Sequence, residues 1–363
     1  MQPTATNSSD FSEDKKLLAL SLARITFLSF EEKLFLEKNL DSAIDLALMS
    51  IDDISLRIHR PLVKAVWNGQ ENLKMAKVAL HYCGLLGVKL IHHSDECYPE
   101  LLRQIADPPF LLFCRGDEGL LSKRSVSVVG TRQLTPDGKN AAYSFAYDAV
   151  NDGCCIVSGL AAGADAFAHR GAVGAYFDAV EKKLPTEQLE KLGRTIAVIP
   201  SAIDEIVPNG NKRLAEQILK TGGCIISEYE PKIGMATWHF VARNRIIAGL
   251  SPATVVIEAP AGSGALITAD FALEYNRDLA FHQAAFGEMA VSVAKRVSAR
   301  LQKDYEAKKV SKYKVENTPD KYLEAGAPIV KNYKDYCEYL SEAPGKRVNT
   351  TEQQLLFNLK EGI

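Results

Sequence analysis

The residues best suited to chemistry lie in four short polar or glycine-bearing segments, and each follows an apolar run typical of a β-strand. Glycine lets the backbone approach a ligand closely, and a helix N-terminus offers unpaired N–H groups to an anion. Because the carboxyl ends of parallel strands meet at one edge of a sheet, we expect the segments to converge there. The pattern therefore predicts a phosphate site, for a nucleotide or a nucleic acid. The candidate binding residues are Gly130, Thr131, Arg132, Ser158, Gly159, Phe240, Arg243, Asn244, Arg245, Ser263, Gly264 and Thr268.

Three arginines supply positive charge to this predicted site. Arg132 directly follows a strand, where its guanidinium can either bind a phosphate through two N–H groups or pair with a neighbouring Asp. Arg243 and Arg245 are two positions apart and cannot share one face of a helix. We therefore expect one of them to face the groove and the other to pair internally, and the sequence leaves open which. Phe240 beside them is either core filler or a surface on which a base could stack.

The other polar candidates each have a structural alternative. The hydroxyl and backbone donors of Ser158, Ser263 and Thr268, with the flanking glycines, could bind phosphate or serve only in turns and caps. Asp165 and His169 lie four residues apart on one predicted helix, a spacing used in acid–base chemistry. No Ser or Cys nucleophile accompanies them at a recognisable spacing, so the sequence favours a structural pair. Two further carboxylates, Glu228 and Glu258, end strands and could organise the arginines, but they make a poor metal site.

The composition of the chain is that of an ordinary globular protein. The 363 residues are 47% hydrophobic and 24% charged, and the formal net charge is −2. Any nucleic-acid binding must therefore come from a local basic patch. The seven cysteines are scattered without a C-x-x-C pair, which favours buried reduced thiols over a metal site. We find no signal peptide or membrane-spanning run, and we expect a cytoplasmic protein with no membrane partner, metal or cofactor.

The hydrophobic pattern divides the chain into a helical part and an α/β part. Helical periodicity extends from residue 15 to 89, with Asp41-Ser42 and Asp52-Asp53 as candidate N-caps. From about residue 125 to 284, strands and helices alternate, which predicts a parallel sheet with helices on both faces. The predicted strands are 125–130, 154–158, 195–200, 224–228, 253–258 and 279–283, and the predicted helices are about 136–151, 163–175, 211–221, 241–250 and 265–276.

Two polar segments, 176–193 and 286–316, interrupt this alternation and are predicted to be helical surface insertions. Within the second, residues 295–314 carry eight basic and two acidic residues. That segment is either a solvated helix face or an accessory nucleic-acid contact.

The ordered motifs of the α/β part resemble those of the DNA-processing protein A family, which is also called DprA or Smf. The resemblance is strong over roughly residues 88–284 and weak in the flanking parts. The motifs that carry it are Val129-Gly130-Thr131-Arg132, Ser158-Gly159-Leu160-Ala161 with Asp165 and His169, Ser227-Glu228-Tyr229, Phe240 with Arg243-Asn244-Arg245, and Ser263-Gly264 with Leu266-Ile267-Thr268-Ala269.

This resemblance implies an extended Rossmann-like domain over 87–340, with the two insertions, behind a small sterile-alpha-motif-like helical domain over 15–86. Residues 1–14 and 341–363 are then a disordered tail and a C-terminal tail. It also implies a homodimer without catalytic activity. Such a protein binds single-stranded DNA, protects incoming DNA and loads the RecA recombinase onto it during natural transformation.

Some positions depart from the family pattern, and three alternative functions stay open. Thr237 stands near the Phe motif where many members carry a Lys, and His282-Gln283 replaces the usual Pro-Gly. Pro260–Ala265 faintly resembles the signature of lysine-decarboxylase-like phosphoribohydrolases, which would make the protein a nucleotide-cleaving enzyme. Thr268 occupies the position of that signature's catalytic Glu, which argues against hydrolysis. A nicotinamide dehydrogenase is a weaker alternative, because no G-x-G-x-x-G follows the first strand of the alternating unit. A nucleotide-sensing module of an antiviral system is the third, because Rossmann-like folds are reused across functions.

Overall fold

The computed structural model describes residues 13–341. The predicted disorder of residues 1–12 and most of the predicted C-terminal tail lie outside the described residues. The prediction was wrong for Glu13 and Asp14, which form the start of the first helix, α1. Their carboxylates lie at the positive end of the helix dipole, where negative charge is stabilising.

Five helices form the N-terminal part of the described chain. Serine hydroxyls cap three of them, and Ser29 and Ser50 each form a reciprocal capping box with the acidic residue three positions later. The predicted cap at Ser42 is confirmed, whereas the cap of α4 is Ser50 and not Asp52-Asp53. The five helices are α1 (Glu13–Ala23), α2 (Phe30–Asn39), α3 (Ala43–Leu48), α4 (Ile51–Arg57) and α5 (Gly69–Leu86).

A mostly parallel sheet of nine strands follows, in the spatial order β1-β2-β6-β5-β4-β3-β7-β8-β9. The ladders from β6 to β9 are parallel, and β1 and β2 add an antiparallel edge. The strands are β1 (Lys89–His92), β2 (Leu111–Gly116), β3 (Ser125–Val129), β4 (Cys155–Ser158), β5 (Thr195–Val198), β6 (Cys224–Ser227), β7 (Ala253–Val256), β8 (Asp278–His282) and β9 (Ile329–Val330).

Helices connect the strands and confirm the predicted α/β alternation. The predicted α/β class with a parallel, Rossmann-like sheet is therefore confirmed, and each predicted strand lies within two residues of an observed one. The helices are α6 (Glu100–Arg103), α7 (Pro136–Asn151), α8 (Ala164–Glu181), α9 (Thr186–Lys191), α10 (Lys212–Lys220), α11 (His239–Leu250), α12 (Gly264–Glu274), α13 (Glu288–Glu306), α14 (Lys312–Glu316), α15 (Pro319–Glu324) and α16 (Tyr333–Ser341).

Both faces of the sheet are buried, because alternate strand residues point to opposite sides. On one side, Ala197 of β5 joins an apolar cluster with Leu214 of α10. On the other side, its neighbour Val198 packs in a cluster with Ile246 of α11 and Leu266 of α12. This two-sided burial explains why the strands are nearly continuous apolar runs.

The N-terminal helices share a core with the sheet. Leu18 and Leu22 of α1 belong to the same apolar cluster as Phe113 of β2 and Leu214 of α10. An ion pair between Arg24 and Glu230 also joins the two parts. The proposed boundary between residues 86 and 87 stays a prediction.

The two predicted insertions are helical. In the first, α8 continues to Glu181 and α9 follows; in the second, α13 and α14 follow one another. Five cysteines are buried, including those of β2, β4 and β6, and none forms a disulfide. Over residues 13–341, no helix is both long and apolar enough to cross a membrane.

Candidate functional site

A cavity of about 510 Å³ lies at the carboxyl ends of β3 and β7. From β3 the chain builds outward through β4, β5 and β6, and it then returns to the other side of β3 to build β7, β8 and β9. The loops after β3 and β7 therefore diverge and leave a crevice between them. Ligands bind at such a switch point in open α/β sheets.

Two glycines shape the loop after β3. A Cβ atom added to Gly130 would lie 2.6 Å from the Cβ of Ala164, at the start of α8. Gly163 has a φ of +80°, and a Cβ there would lie 2.2 Å from the carbonyl oxygen of Thr131. The Thr131 N–H donates to the carbonyl oxygen of Glu258 at 2.6 Å. These close contacts fix the loop that presents Thr131 and Arg132 to the cavity.

Arg132 and Phe240 form one wall of the cavity. The Arg132 guanidinium lies over the Phe240 ring, 5.3 Å from the ring centroid. Arg132 is exposed, and no carboxylate of residues 13–341 pairs with it. The wall therefore offers an uncompensated positive charge beside a partly exposed aromatic ring.

The N-terminus of α12 forms the opposite wall. Ser263 caps the helix through its Oγ atom, which accepts the N–H of Ala265 at 3.3 Å. The first turn contains no acidic residue, and a Cβ added to Gly264 would meet no atom within 4 Å. Asn244 donates from Nδ2 to the Gly264 carbonyl at 3.2 Å and so holds α11 against this wall. The arrangement leaves the positive end of a helix dipole open to an anion.

Arg243 forms the floor of the cavity and is only 5% exposed. Its Nη1 atom donates to the carbonyl oxygens of Gly159 and Val198, and its Nε atom is buried without a hydrogen-bond partner among the described residues. A Cβ at residue 159 would lie 2.2 Å from this guanidinium and 2.6 Å from Asp165 Oδ2, so a larger residue there would displace these two side chains.

Ser158 and Gly159 differ from their prediction, because they lie beneath the cavity and do not line it. The Ser158 hydroxyl is fully buried and donates to the Val128 carbonyl at 2.6 Å. The two residues position Arg243 and Asp165 and are not exposed phosphate donors. Thr268 does line the cavity, although it is 1% exposed.

Asp165 and His169 do not form the predicted pair. The His169 Nδ1 atom lies 2.7 Å from Thr195 Oγ1, while Asp165 accepts the Ala161 N–H at 3.3 Å and faces Arg243. Burial raises the pKa of Asp165, although the positive charge of Arg243 acts to lower it. Burial, followed by the charge of Arg243, lowers the pKa of His169 to about 3. Burial likewise lowers the pKa of Arg243 to about 10.

Arg245 is the arginine that pairs internally. Its Nη1 and Nη2 atoms lie 2.9 and 2.7 Å from the two carboxylate oxygens of Glu228, and its Nε lies 2.8 Å from Asp107 Oδ2. Burial alone would lower the pKa of Arg245, because it disfavours the charged guanidinium. The carboxylates of Glu228 and Asp107 outweigh burial and raise this pKa. Its charge is neutralised, and the side chain does not line the cavity. This geometry does not support its predicted role in DNA binding.

Glu258, the other predicted carboxylate, organises no arginine and instead accepts hydrogen bonds from Thr135.

The cavity contains residues that the analysis of strand ends did not select. Val297 and Leu301 of α13 and Lys314 of α14 form its outer rim. The only signal for them was the basic character of residues 295–314, which indicated no position in the fold. No group of three or more His, Cys, Asp or Glu residues within 13–341 could hold a metal ion.

The fold and the cavity define a Rossmann-like α/β protein with a crevice, lined by an exposed arginine and a helix N-terminus, at its topological switch point. The family model for DNA recombination-mediator protein A matches residues 89–339, and the chain belongs to this family.

Two curated relatives illustrate the similarity. The chain is 38% identical over 194 residues to DNA processing protein DprA of Bacillus subtilis, covering 53% of this chain and 60% of that protein. It is 32% identical over 277 residues to protein Smf of Borreliella burgdorferi, covering 76% and 82%. The chain thus spans less than two thirds of the length of the Bacillus relative.

Two solved structures share the architecture. The DNA processing protein A of Streptococcus pneumoniae superposes with a TM-score of 0.60 at 26% identity, covering 89% of this chain and 97% of that one. The Helicobacter pylori protein, described for its single-stranded DNA binding mode, gives a TM-score of 0.50 at 25% identity and covers 70% and 95%.

Proposed function

We propose that the protein binds single-stranded DNA in the cavity and acts as a recombination mediator. The observation that carries the proposal is the uncompensated Arg132 guanidinium beside Phe240, facing the open N-terminus of α12. The Helicobacter relative, described for single-stranded DNA binding, supports the same ligand.

Each wall of the cavity suits a different part of a nucleotide. Arg132 and the Gly264 N–H at the start of α12 suit a phosphate, because both present donors and positive charge. The neighbouring N–H groups of Ser263 and Ala265 already donate to the Pro260 carbonyl and to Ser263 Oγ. Phe240 suits a base, and stacking on an aromatic ring contributes about 1–3 kcal/mol per base. Backbone donors and a ring face carry no sequence code, so binding is expected to be independent of sequence.

Single strands should be preferred over duplex. A base in a duplex is stacked between its neighbours and must be extruded at a cost of a few kcal/mol before it can contact Phe240.

The test is a titration of labelled oligo-dT and of a duplex of equal length, each at two salt concentrations. We expect tighter binding of the single strand and a steep loss of affinity at the higher salt, because phosphate contacts release counterions. Equal affinity for the two DNA forms would contradict the proposal.

We further propose that the site performs no turnover. Asp165 is engaged by Arg243, His169 faces Thr195, and Thr268 stands where the related hydrolases carry a catalytic Glu. The competing phosphoribohydrolase reaction is tested by incubating the protein with nucleoside monophosphates and measuring free base. Base release that disappears in Asp165→Asn would replace the proposal with the enzyme.

The downstream partner in this proposal is the RecA recombinase, and the acting species is a homodimer. The seven free thiols suit the reducing cytoplasm. On DNA coated with single-strand-binding protein, stoichiometric amounts should stimulate RecA filament formation, and light scattering should give twice the monomer mass. No stimulation at any ratio would remove RecA from the proposal, and a monomer mass would remove the dimer.

A further inference from the structure

The second insertion carries an exposed cluster of positive charge in a chain whose net charge is −2. All eight basic side chains between residues 295 and 314 are exposed. Two of them pair within their own helices, Arg300 with Asp304 and Lys312 with Glu316. The other six form no ion pair with another described residue: Lys295, Arg296, Lys303, Lys308, Lys309 and Lys314.

This segment is anchored to the rim of the cavity. The Gly262 N–H donates to the Asn317 carbonyl at 3.1 Å, and the Tyr313 hydroxyl donates to Asp270 Oδ2 at 2.6 Å. A Cβ added to Gly262 would lie 2.7 Å from Lys314 Cγ. The position of α14 is therefore fixed relative to the loop after β7, and Lys314 forms part of the cavity wall.

The two faces of α13 have opposite character. Val297 and Leu301, four residues apart, lie on the side that lines the cavity. At 3.6 residues per turn, Lys295, Arg296 and Lys303 fall on the outer side of the helix. The basic face thus lies on the far side of the same helix, which is about 28 Å long at 1.5 Å per residue, and a strand would reach it by passing around the rim of the cavity.

We propose that α13 and α14 form a second, electrostatic contact for a single DNA strand that leaves the cavity past Lys314. This inference rests on the proposed function and extends its site. A strand of phosphates matches the exposed cations of α13 and α14, because the same two helices also supply Val297, Leu301 and Lys314 to the cavity. A membrane surface matches less well, because a membrane-binding helix exposes a broad apolar face, whereas Val297 and Leu301 turn inward.

The test compares the triple variant Lys295→Gln/Arg296→Gln/Lys303→Gln with a control that removes the same charge elsewhere, Lys77→Gln/Lys182→Gln/Lys220→Gln. All six side chains are exposed, so both variants should fold. The probes are dT strands of about 6 and about 30 nucleotides, which lie near and above the range of known single-strand site sizes.

For the longer strand, the triple variant should bind several-fold more weakly than the control. Its slope of log affinity against log salt should be smaller by about 2, because each lost phosphate contact removes about 0.7. The shorter strand, held by the cavity, should bind both variants equally.

Equal binding of the longer strand by variant and control would overturn the inference and leave the proposed function intact. A wild-type protein that binds no single strand would overturn both. Loss of binding to vesicles of anionic lipid in the triple variant, with unchanged DNA affinity, would assign the basic face to a membrane instead.

Discussion

Arg132, Arg243 and Arg245 carry the same guanidinium group and differ in what surrounds it. Arg245 is neutralised by two carboxylates, and Arg243 is buried against carbonyl oxygens and feels the charge of Asp165. Only Arg132 is exposed, with its charge uncompensated beside an aromatic ring. Of the three, Arg132 is therefore the one whose removal should affect a ligand more than the fold.

We predict that Arg132→Ala weakens oligo-dT binding by about 1.5–3 kcal/mol, the range for a charge-assisted hydrogen bond. The melting temperature should stay close to that of the wild type, because an exposed side chain whose one contact is a solvent-accessible ring contributes little stability. Fluorescence titration and thermal melts measure the two effects. Lys77→Ala is the matched control, and unchanged binding in Arg132→Ala would show that the cavity does not hold the strand.

Gly264 allows a second test at the same wall. Space for a methyl group is open there, so Gly264→Ala should fold normally and stabilise the start of α12 slightly, since alanine has the higher helix propensity. The added methyl would, however, occupy the place where a phosphate approaches the helix N-terminus. We predict weaker oligo-dT binding with an unchanged or raised melting temperature. Full affinity in this variant would place the phosphate elsewhere.

For Arg245 we predict the reverse outcome. Arg245→Ala leaves Glu228 partly buried without its partner, and breaking a buried ion pair costs about 3–5 kcal/mol of stability. Denaturant unfolding should detect this loss, and Arg245→Lys should recover only part of it because lysine lacks the planar fork. If Arg245→Ala instead lost DNA affinity and kept the stability of the wild type, Arg245 would belong to the binding site.

At the scale of the elements, local signals predicted most of the architecture. The helix predicted at 136–151 is observed as Pro136–Asn151, because Thr135 caps it and Pro136 suits the first helical turn. The glycine-bearing turns after β3 and β7 do line the cavity, as the parallel-sheet argument requires. These features depend on neighbouring residues and on the periodicity of single segments.

The features that sequence reasoning misplaced depend on long-range contacts. Asp107 reaches Arg245 across 138 positions of the chain, and Thr195 bonds His169 in place of Asp165. Ser158 and Gly159 end a strand, as predicted, but the Arg243 side chain covers them from above. The local sequence does not indicate which of several polar groups will lie nearest to a given side chain once the helices pack.

At the scale of the whole molecule, buried titratable groups make the free energy of unfolding depend on pH. The unfolded chain binds a proton at His169 near pH 6.5, whereas the folded protein resists it until about pH 3. The contribution of His169 is therefore fully present above pH 6.5 and declines as the pH falls towards 3. Buried His92 and His282, each with a pKa of about 4, act in the same direction. Asp165 acts oppositely, because its raised pKa lets the folded state take up a proton first. Glu37, which lies 3.2 Å from His92 and whose pKa burial raises to about 7, also acts oppositely, so the fall in stability is the net effect of the three histidines over these two carboxyls.

We predict that the free energy of unfolding of the wild type falls between pH 6.5 and pH 4, and that His169→Asn reduces this slope. Denaturant titrations at several pH values measure it, and the exposed His81→Asn is the control. Because the slope is compared and not the absolute stability, a general destabilisation of the buried variant does not mimic the effect. An identical slope in His169→Asn and the wild type would mean that His169 is protonated alike in both states.

The position of β3 between β4 and β7 has a consequence for synthesis on the ribosome. Ser127 of β3 pairs with Thr254 of β7. The edge of β3 that faces β7 therefore stays unpaired until more than a hundred further residues have been synthesised. Domains form in the order in which the chain is made. A nascent chain that ends after β6 would already contain Arg132 but would lack the wall at Ser263–Ala265. The complete cavity therefore forms late in synthesis. It is present only after β7 has paired with β3 and joined the two parts of the sheet.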